Sequence, residues 1–206
     1  MKIYIARHGQ THWNTEHRMQ GWQDSALTAK GIEDAKKLGK SLERIKFDSI
    51  YSSPLGRAYN TAKYIRGDRG IEIIKMDSFR EMNFGKWEGM ADSDVRELFP
   101  VEHKNFWKEP NLFKPVEGES FDALINRVST GLEELIESSR PGSENVLLVT
   151  HTCVIKSILS IVKNYSIKDF WNPPFVHATS LTVLEVDGEK IKTVLEGDIS
   201  HLKDSV

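Results

Sequence analysis

A continuous apolar run at residues 145–150, Asn-Val-Leu-Leu-Val-Thr, most constrains the fold of this chain. Side chains alternate between the two faces of a strand, so a run without polar positions predicts a strand buried on both faces. Such strands belong to mainly parallel sheets with helices on both sides. The run therefore predicts an α/β protein.

The rest of the chain alternates between predicted strands and helices. Strands are predicted at residues 2–6, 47–51, 71–76 and 145–150, with a hairpin of residues 180–186 and 190–195 around Asp187-Gly188. Apolar spacings of three and four residues predict helices after Thr28, after Ser53 as N-cap with Pro54 following, after Ser120, and over 152–162. The expected fold is a three-layer α/β/α arrangement with a mainly parallel sheet and a C-terminal antiparallel hairpin. Residues 1–206 are expected to form a single domain.

One segment does not fit this alternation. Residues 83–119 are rich in aromatic, proline and charged residues, and they contain only short helical patterns such as 92–99. A long segment of this kind is typical of an insertion over a functional site. We therefore predict a lid at about 83–119.

Composition narrows the possible partners and the compartment. Lys and Arg number 28 against 30 Asp and Glu, and this balance gives no reason to expect nucleic acid or an anionic membrane as partner. No run of about 18 apolar residues is present, and the apolar N-terminal run is too short for a signal peptide. The one cysteine, Cys153, suits a reducing compartment, so a soluble cytoplasmic protein is expected.

Charged and basic residues follow four of the predicted strands. Arg7 and His8 follow the first, Arg57 lies early in the helix after the second, Glu81 follows the third, and His151 follows the apolar fourth. Carboxyl ends of parallel strands share one sheet edge, where α/β proteins bind ligands. The arginine fork matches phosphate oxygens, so this combination predicts a site for a phosphoryl group.

These residues lie in motifs that resemble those of the histidine phosphatase superfamily, which includes cofactor-dependent phosphoglycerate mutases. The blocks match in order over nearly the whole chain: 7–14 (Arg-His-Gly-Gln-Thr-His-Trp-Asn), 20–22, 24–31, 52–58, 61–62, 81–89, 118–120 and 150–151. Five or more blocks in order are a far stronger signal than Arg-His-Gly alone. Among its members the chain most resembles the broad-specificity or α-ribazole phosphatase type.

The resemblance implies a role for each catalytic candidate. His8 would be the nucleophile that carries the phosphoryl group. Arg7, Arg57 and His151 would hold the phosphoryl oxygens, and Glu81 would be general acid and then general base. No cofactor and no metal are implied, and the expected partner is a small-molecule phosphomonoester.

Further contacts are implied at the edge of the site. Asn14, Gln20 and Gly21 would complete phosphate and substrate binding, together with Thr152. Relatives commonly carry two small residues after the second histidine, whereas this chain has Thr152 and Cys153. The pair predicts a tighter space beside the phosphate.

Three alternatives compete for individual residues. Glu88 lies close to Glu81 in the same motif and competes with it as the acid. His8, His12 and His17 would be the members of a metal cluster, but their spacing matches no common zinc pattern. Cys153, at a predicted helix N-terminus, is read as a buried packing residue rather than a nucleophile.

Three activities fit the motifs: a phosphomonoester hydrolase, a mutase that returns the phosphoryl group to its substrate, and a non-catalytic phosphate-binding module. A non-catalytic phosphate-binding module would be expected to lack His8 or Glu81, so the presence of both residues disfavours that alternative. The lid contains Lys86, Arg96, Lys104, Lys108 and Lys114 in no basic cluster along the sequence, which favours hydrolysis over a mutase that grips a second anion. The sequence leaves the natural substrate and the oligomeric state open.

Overall fold

A computed structural model describes residues 1–139 and 142–203 of the chain. The strands are β1 (Lys2–Arg7), β2 (Ser49–Ser52), β3 (Ile73–Lys75), β4 (Asn145–Thr150), β5 (Leu181–Asp187) and β6 (Lys190–Asp198). The α-helices are α1 (His12–Thr15), α2 (Ala29–Ser41), α3 (Gly56–Arg66), α4 (Asp92–Leu98), α5 (Pro100–Lys108), α6 (Phe121–Ser138) and α7 (Thr152–Lys163). In these two ranges no helix combines the length and the apolar character needed to cross a membrane.

The six strands form one sheet in the order β3-β2-β4-β1-β5-β6. The first four in this order run parallel, and β5 and β6 pair antiparallel with β1 and with each other. β4 lies between β2 and β1, which explains its apolar sequence. The predicted α/β fold with a mainly parallel sheet and a C-terminal hairpin is confirmed.

Two apolar cores lie on the two faces of this sheet. Along β1, Ile3 and Ile5 belong to one core, whereas Tyr4 and Ala6 belong to the other. The first core includes the apolar faces of α6 and α7, and the second includes those of α2 and α3. The alternation in β1 thus divides the helices into two layers, as the period of a strand requires.

Helix boundaries differ from the prediction at α3. Ser53 was predicted to cap this helix, but α3 begins at Gly56, and its N-cap residue Leu55 makes no side-chain cap hydrogen bond. The hydroxyl of Ser53 instead lies 2.8 Å from Nε2 of His151 and accepts from the backbone N–H of Leu55. The capping prediction at Ser53 is therefore wrong, because a partner distant in sequence engages the hydroxyl.

The segment 83–119 contains more helix than the sequence pattern indicates. α4 matches the predicted piece at 92–99, whereas α5 was not predicted. Trp87 and Phe106 of this segment are buried in the first core, and the Phe106 ring stacks on that of Phe121 at 5.4 Å. The segment is thus anchored by its aromatic residues while its other side faces a cavity.

Candidate active site

The register of the central strands brings three side chains together at the carboxyl edge. Arg7 of β1 pairs with Thr150 of β4, so His8 and His151, each the next residue, are neighbours. Their ring centroids are 5.2 Å apart. Ser52 of β2 pairs with Val149, which places Ser53 on the other side of His151.

The ring of His8 is buried and oriented by the backbone. Its Nδ1 lies 2.8 Å from the carbonyl oxygen of Gly9. A carbonyl only accepts hydrogen bonds, so Nδ1 carries the proton and Nε2 of the neutral ring has a free lone pair. Burial, with Arg57 and Arg7 nearby, holds the pKa of His8 well below 6.5. The ring is therefore neutral at pH 7, with a nucleophilic Nε2.

Two arginines flank this histidine, Arg57 buried and Arg7 half-buried. Arg57 donates from Nη1 to the Gln23 carbonyl and Asp24, and from Nη2 to the Gly21 carbonyl. Arg7 donates from Nη1 to the Val176 carbonyl at 2.8 Å. Among the described residues the buried Nε of neither arginine has a partner. Each guanidinium thus retains an Nε–H donor that the described residues do not use, and arginine N–H groups are strong partners of phosphate oxygens.

His151 lies behind His8 and is fully buried. Its Nε2 contacts Ser53, and its buried Nδ1 has no partner within residues 1–139 and 142–203. Burial, with Arg57, His8 and Arg7 around it, holds the pKa of His151 well below 6.5, so this ring is neutral as well.

Glu81 reaches the site from the loop after β3. Its carboxylate accepts from the backbone N–H groups of Met82 at 2.9 Å and Cys153 at 3.2 Å. Burial raises the pKa of Glu81 above 4.5, against the opposing effect of these hydrogen bonds and of Arg57. A carboxyl group with a raised pKa in a cavity wall is suited to proton transfer.

The competing carboxylate, Glu88, is engaged elsewhere. It accepts from the backbone N–H groups of Trp22, Gln23 and Phe84, and thereby ties together two loops of the site. It does not line the cavity that Glu81 lines. The geometry therefore favours Glu81 as the proton-transfer group.

The remaining predicted residues all line the same cavity: Asn14, Gln20, Gly21 and Thr152. Gly21 has φ +55, and a Cβ atom there would lie 2.1 Å from the Glu88 carboxylate. Its carbonyl accepts from Arg57. Gly21 thus positions the arginine through its backbone.

The cavity has a volume of about 960 Å³ and an extensive apolar wall. Its aromatic and proline residues come from the lid and from the segment before β5: Phe84, Pro100, Phe106, Trp107, Trp171, Pro173 and Phe175. Among the lid aromatics, Trp87 is buried in the core, Phe106 is buried in the core and also borders the cavity, and Trp107 lines the cavity. Lys156 of α7 also lines it and donates to the carbonyls of Asn172 and Pro174.

Three of the five basic lid residues line the cavity. Arg96 of α4 and Lys104 and Lys108 of α5 line the same cavity. Lys104 and Lys108 are one helical turn apart, which places them on one face of α5. Lys104 pairs with Glu109 at 2.9 Å, but no ion pair of Arg96 or Lys108 is found in the described ranges. Spacing along the chain did not indicate this shared wall, because it took no account of α5.

The alternative sites receive little support. Cys153 is buried, and burial together with Glu81 holds the pKa of its thiol well above 9.0, which disfavours a thiolate nucleophile. His8 is buried, whereas His12 and His17 are exposed. Within residues 1–139 and 142–203, no three His, Cys, Asp or Glu residues are grouped to hold a metal ion.

Comparison with known proteins decides the family. The model of the histidine phosphatase superfamily, branch 1, matches residues 3–199. The chain belongs to this superfamily. Phosphoserine phosphatase 1 of Hydrogenobacter thermophilus is 34% identical over 172 residues, which is 84% of this chain and 81% of the relative.

Solved structures of the superfamily agree closely with this fold. YhfR of Bacillus stearothermophilus is 40% identical, covers 98% of this chain and 99% of its own, and has a TM-score of 0.95. The α-ribazole phosphatase of Shigella flexneri is 25% identical with 97% of each chain covered and a TM-score of 0.87. The predicted enzyme class, a phosphomonoester hydrolase, is confirmed by the family and by its phosphatase-named members. Phosphoglycerate mutases also occur among the relatives.

Proposed function

We propose that this histidine phosphatase hydrolyses small-molecule phosphomonoesters through a phosphohistidine on Nε2 of His8. The observation that carries the proposal is the 2.8 Å contact between His8 Nδ1 and the Gly9 carbonyl. It orients a neutral ring with its unprotonated nitrogen available at the head of a cavity. Residues 1–206 are proposed to act as one domain in the cytoplasm, supported by the span of the family match and by the free thiol of Cys153.

In this proposal, side-chain N–H groups rather than a metal ion hold the phosphoryl group. The unpartnered Nε–H groups of Arg7 and Arg57 and the Nδ1 of His151 are the proposed donors to its three equatorial oxygens. They stabilise the charge that spreads over these oxygens in the transition state. Asn14, Gln20, Gly21 and Thr152 are proposed to complete substrate binding at the cavity wall.

Glu81 moves the protons of both chemical steps. As His8 Nε2 bonds to phosphorus, the bond from phosphorus to the ester oxygen breaks, and the Glu81 carboxyl protonates the departing alcohol. The resulting carboxylate then takes a proton from water as the water oxygen attacks phosphorus. Phosphate leaves, and His8 regains its lone pair.

The apolar wall identifies the class of alcohol. Seven aromatic or proline side chains line the cavity beyond the phosphoryl site, and such surfaces bind apolar groups by burial and ring stacking. Phe175 lies at the mouth with 71% of its surface exposed, where a bound apolar group would cover it. We infer a preference for phosphomonoesters of aromatic or other bulky apolar alcohols.

A substrate comparison tests this preference. Phe175→Ala is expected to raise KM for an aryl phosphate about three- to tenfold, the worth of one aromatic contact, and to leave glycerol phosphate nearly unchanged. Leu98→Ala is the matched control, because Leu98 is 63% exposed but does not line the cavity. Equal effects of Phe175→Ala on both substrates would contradict the assignment of the apolar wall.

The pH dependence of kcat/KM is expected to reflect His8 and Glu81. Because the pKa of His8 is lowered, the nucleophile stays neutral well below pH 6.5, and activity falls only in more acidic solution. Because the pKa of Glu81 is raised, its carboxyl stays protonated above pH 4.5, and activity falls as it ionises. Glu81→Gln cannot ionise, so the falling limb should disappear in that variant. An unchanged falling limb would exclude Glu81 as its source.

Chelation is expected to leave activity unchanged. Arg7 and Arg57 supply the positive charge that a Lewis acid would supply in a metal-dependent phosphatase. Activity on an aryl phosphate should remain within experimental error after dialysis against EDTA. Loss of activity, restored by a divalent ion, would contradict the metal-independent mechanism and revive the reading of His8, His12 and His17 as ligands.

A mutase is the second candidate, and the cavity-lining Arg96 and Lys108 favour it because they offer charge to a second anionic group. The fate of a labelled phosphoryl group separates the two activities. With 3-phosphoglycerate labelled in its phosphoryl group as the substrate, a hydrolase releases the label as inorganic phosphate. A mutase instead transfers the label to another hydroxyl of a phosphoglycerate, so that it stays in the organic product. We expect release as inorganic phosphate, and retention of label in the organic product would contradict the proposal.

A further inference from the structure

Ser53 follows β2 at the same sheet edge as His8 and His151, and its hydroxyl is buried. In residues 1–139 and 142–203, two groups hydrogen-bond to Ser53 Oγ: the backbone N–H of Leu55 at 3.3 Å and Nε2 of His151 at 2.8 Å. The N–H of Leu55 donates. Within the part of the chain that the structure describes, His151 Nε2 is therefore the acceptor available to the Ser53 proton.

This count of donors and acceptors decides the tautomer of His151. A neutral imidazole has one protonated nitrogen and one acceptor nitrogen. If Nε2 carried the proton, the hydroxyl of Ser53 would accept twice and its own proton would remain buried without an acceptor, which is costly. With the proton on Nδ1, both contacts of Ser53 are satisfied.

We propose that Ser53 is a positioning residue that donates its hydroxyl proton to Nε2 of His151 and so keeps the ring proton on Nδ1. The inference rests on the proposed function, in which the phosphoryl group is carried by His8. The rings of His8 and His151 are 5.2 Å apart, and Nδ1 of His151 has no partner in the described ranges. An Nδ1–H donates to a phosphoryl oxygen, whereas an Nδ1 lone pair repels it.

The tautomer can be measured in the wild-type enzyme without any substitution at Ser53. Protein labelled with 15N in histidine is expected to show His151 with a protonated Nδ1 and an unprotonated Nε2 at neutral pH, with the signal assigned by its loss in His151→Gln. An Nε2–H tautomer in the wild-type enzyme would overturn the proposal. This measurement does not depend on whether a phosphohistidine forms.

Substitution then tests the consequence for catalysis. Ser53→Ala is expected to lower kcat/KM for an aryl phosphate by about 10- to 100-fold, as loss of a partner that orients a histidine does at metal sites. The affinity for vanadate should fall with it, since vanadate mimics the transferring phosphoryl group. The 15N spectrum of the variant should show loss of the pure Nδ1–H tautomer.

Ser52→Ala is the matched control. Ser52 is equally buried, and its hydroxyl donates to the Ser53 carbonyl at 2.8 Å, but it makes no hydrogen bond with His151. It should keep the wild-type tautomer and most of the activity. Equal activities and vanadate affinities of the two variants would refute the positioning role. Absence of a phosphohistidine in the wild-type enzyme would instead refute the proposed function, whatever the tautomer.

Discussion

Replacement of His8 by alanine is expected to reduce turnover of every phosphomonoester by roughly 10³-fold or more, because the reaction loses its nucleophile. The side chain lies beside a cavity, and its backbone contacts remain available to alanine: the His8 N–H donates to the Thr150 carbonyl at 2.9 Å. The fold should therefore survive. Steady-state rates on an aryl phosphate, with circular dichroism as the check on folding, measure the effect.

His12→Ala is the control for this variant. His12 lies four residues along the same segment, is exposed and does not line the cavity. Its replacement should leave turnover within about twofold, the usual range for a surface position of this kind. A folded His8→Ala enzyme with a tenth of wild-type activity would be incompatible with covalent catalysis at this residue.

Glu81→Gln is expected to have the second-largest effect, about 10²–10⁴-fold on substrates with poor leaving groups such as alkyl phosphates. An aryl leaving group needs little protonation, so phosphorylation of His8 by an aryl phosphate should be slowed less. The attack of water on the phosphohistidine would still lack its general base in this variant. Rapid-mixing experiments should therefore show a burst of aryl alcohol followed by slow turnover.

Glu88→Gln is the matched variant in the same loop. Glu88 accepts three backbone N–H groups and ties the Trp22 and Phe84 segments together, so its change should affect loop order more than chemistry. Its loss of activity should be similar for alkyl and aryl substrates and much smaller than that of Glu81→Gln on alkyl phosphates. A larger effect at Glu88, or equal losses at Glu81 without a burst, would place the acid elsewhere.

The sheet edge could be predicted because strand ends are visible in the sequence. His8 and His151 directly follow the two strands with the clearest apolar patterns, and parallel strands bring such ends together. Glu81 lies six residues beyond the end of β3, so periodicity alone does not place it. Its position after the predicted third strand indicated the right edge of the sheet, the motif resemblance indicated its role, and the hydrogen bond from Cys153 explains how it reaches the site.

Other features depend on contacts between distant residues. The hydroxyl of Ser53 reads locally as a helix cap, but His151, 98 residues away, engages it. The cations Arg96 and Lys108 look scattered along the chain, and the unpredicted helix α5 gathers them with α4 at the cavity. The apolar wall combines lid residues with Trp171 and Phe175 from the segment before β5. Local patterns carry no information on these juxtapositions.

Rapid quenching of the wild-type enzyme with a 32P-labelled aryl phosphate tests the central claim most directly. A phosphoramidate on His8 should appear as protein-bound label that is lost in acid and stable in base. The label should map to the peptide containing His8, should accumulate in Glu81→Gln and should be absent from His8→Ala. Full turnover without a labelled protein, or equal labelling of His8→Ala, would contradict the covalent mechanism.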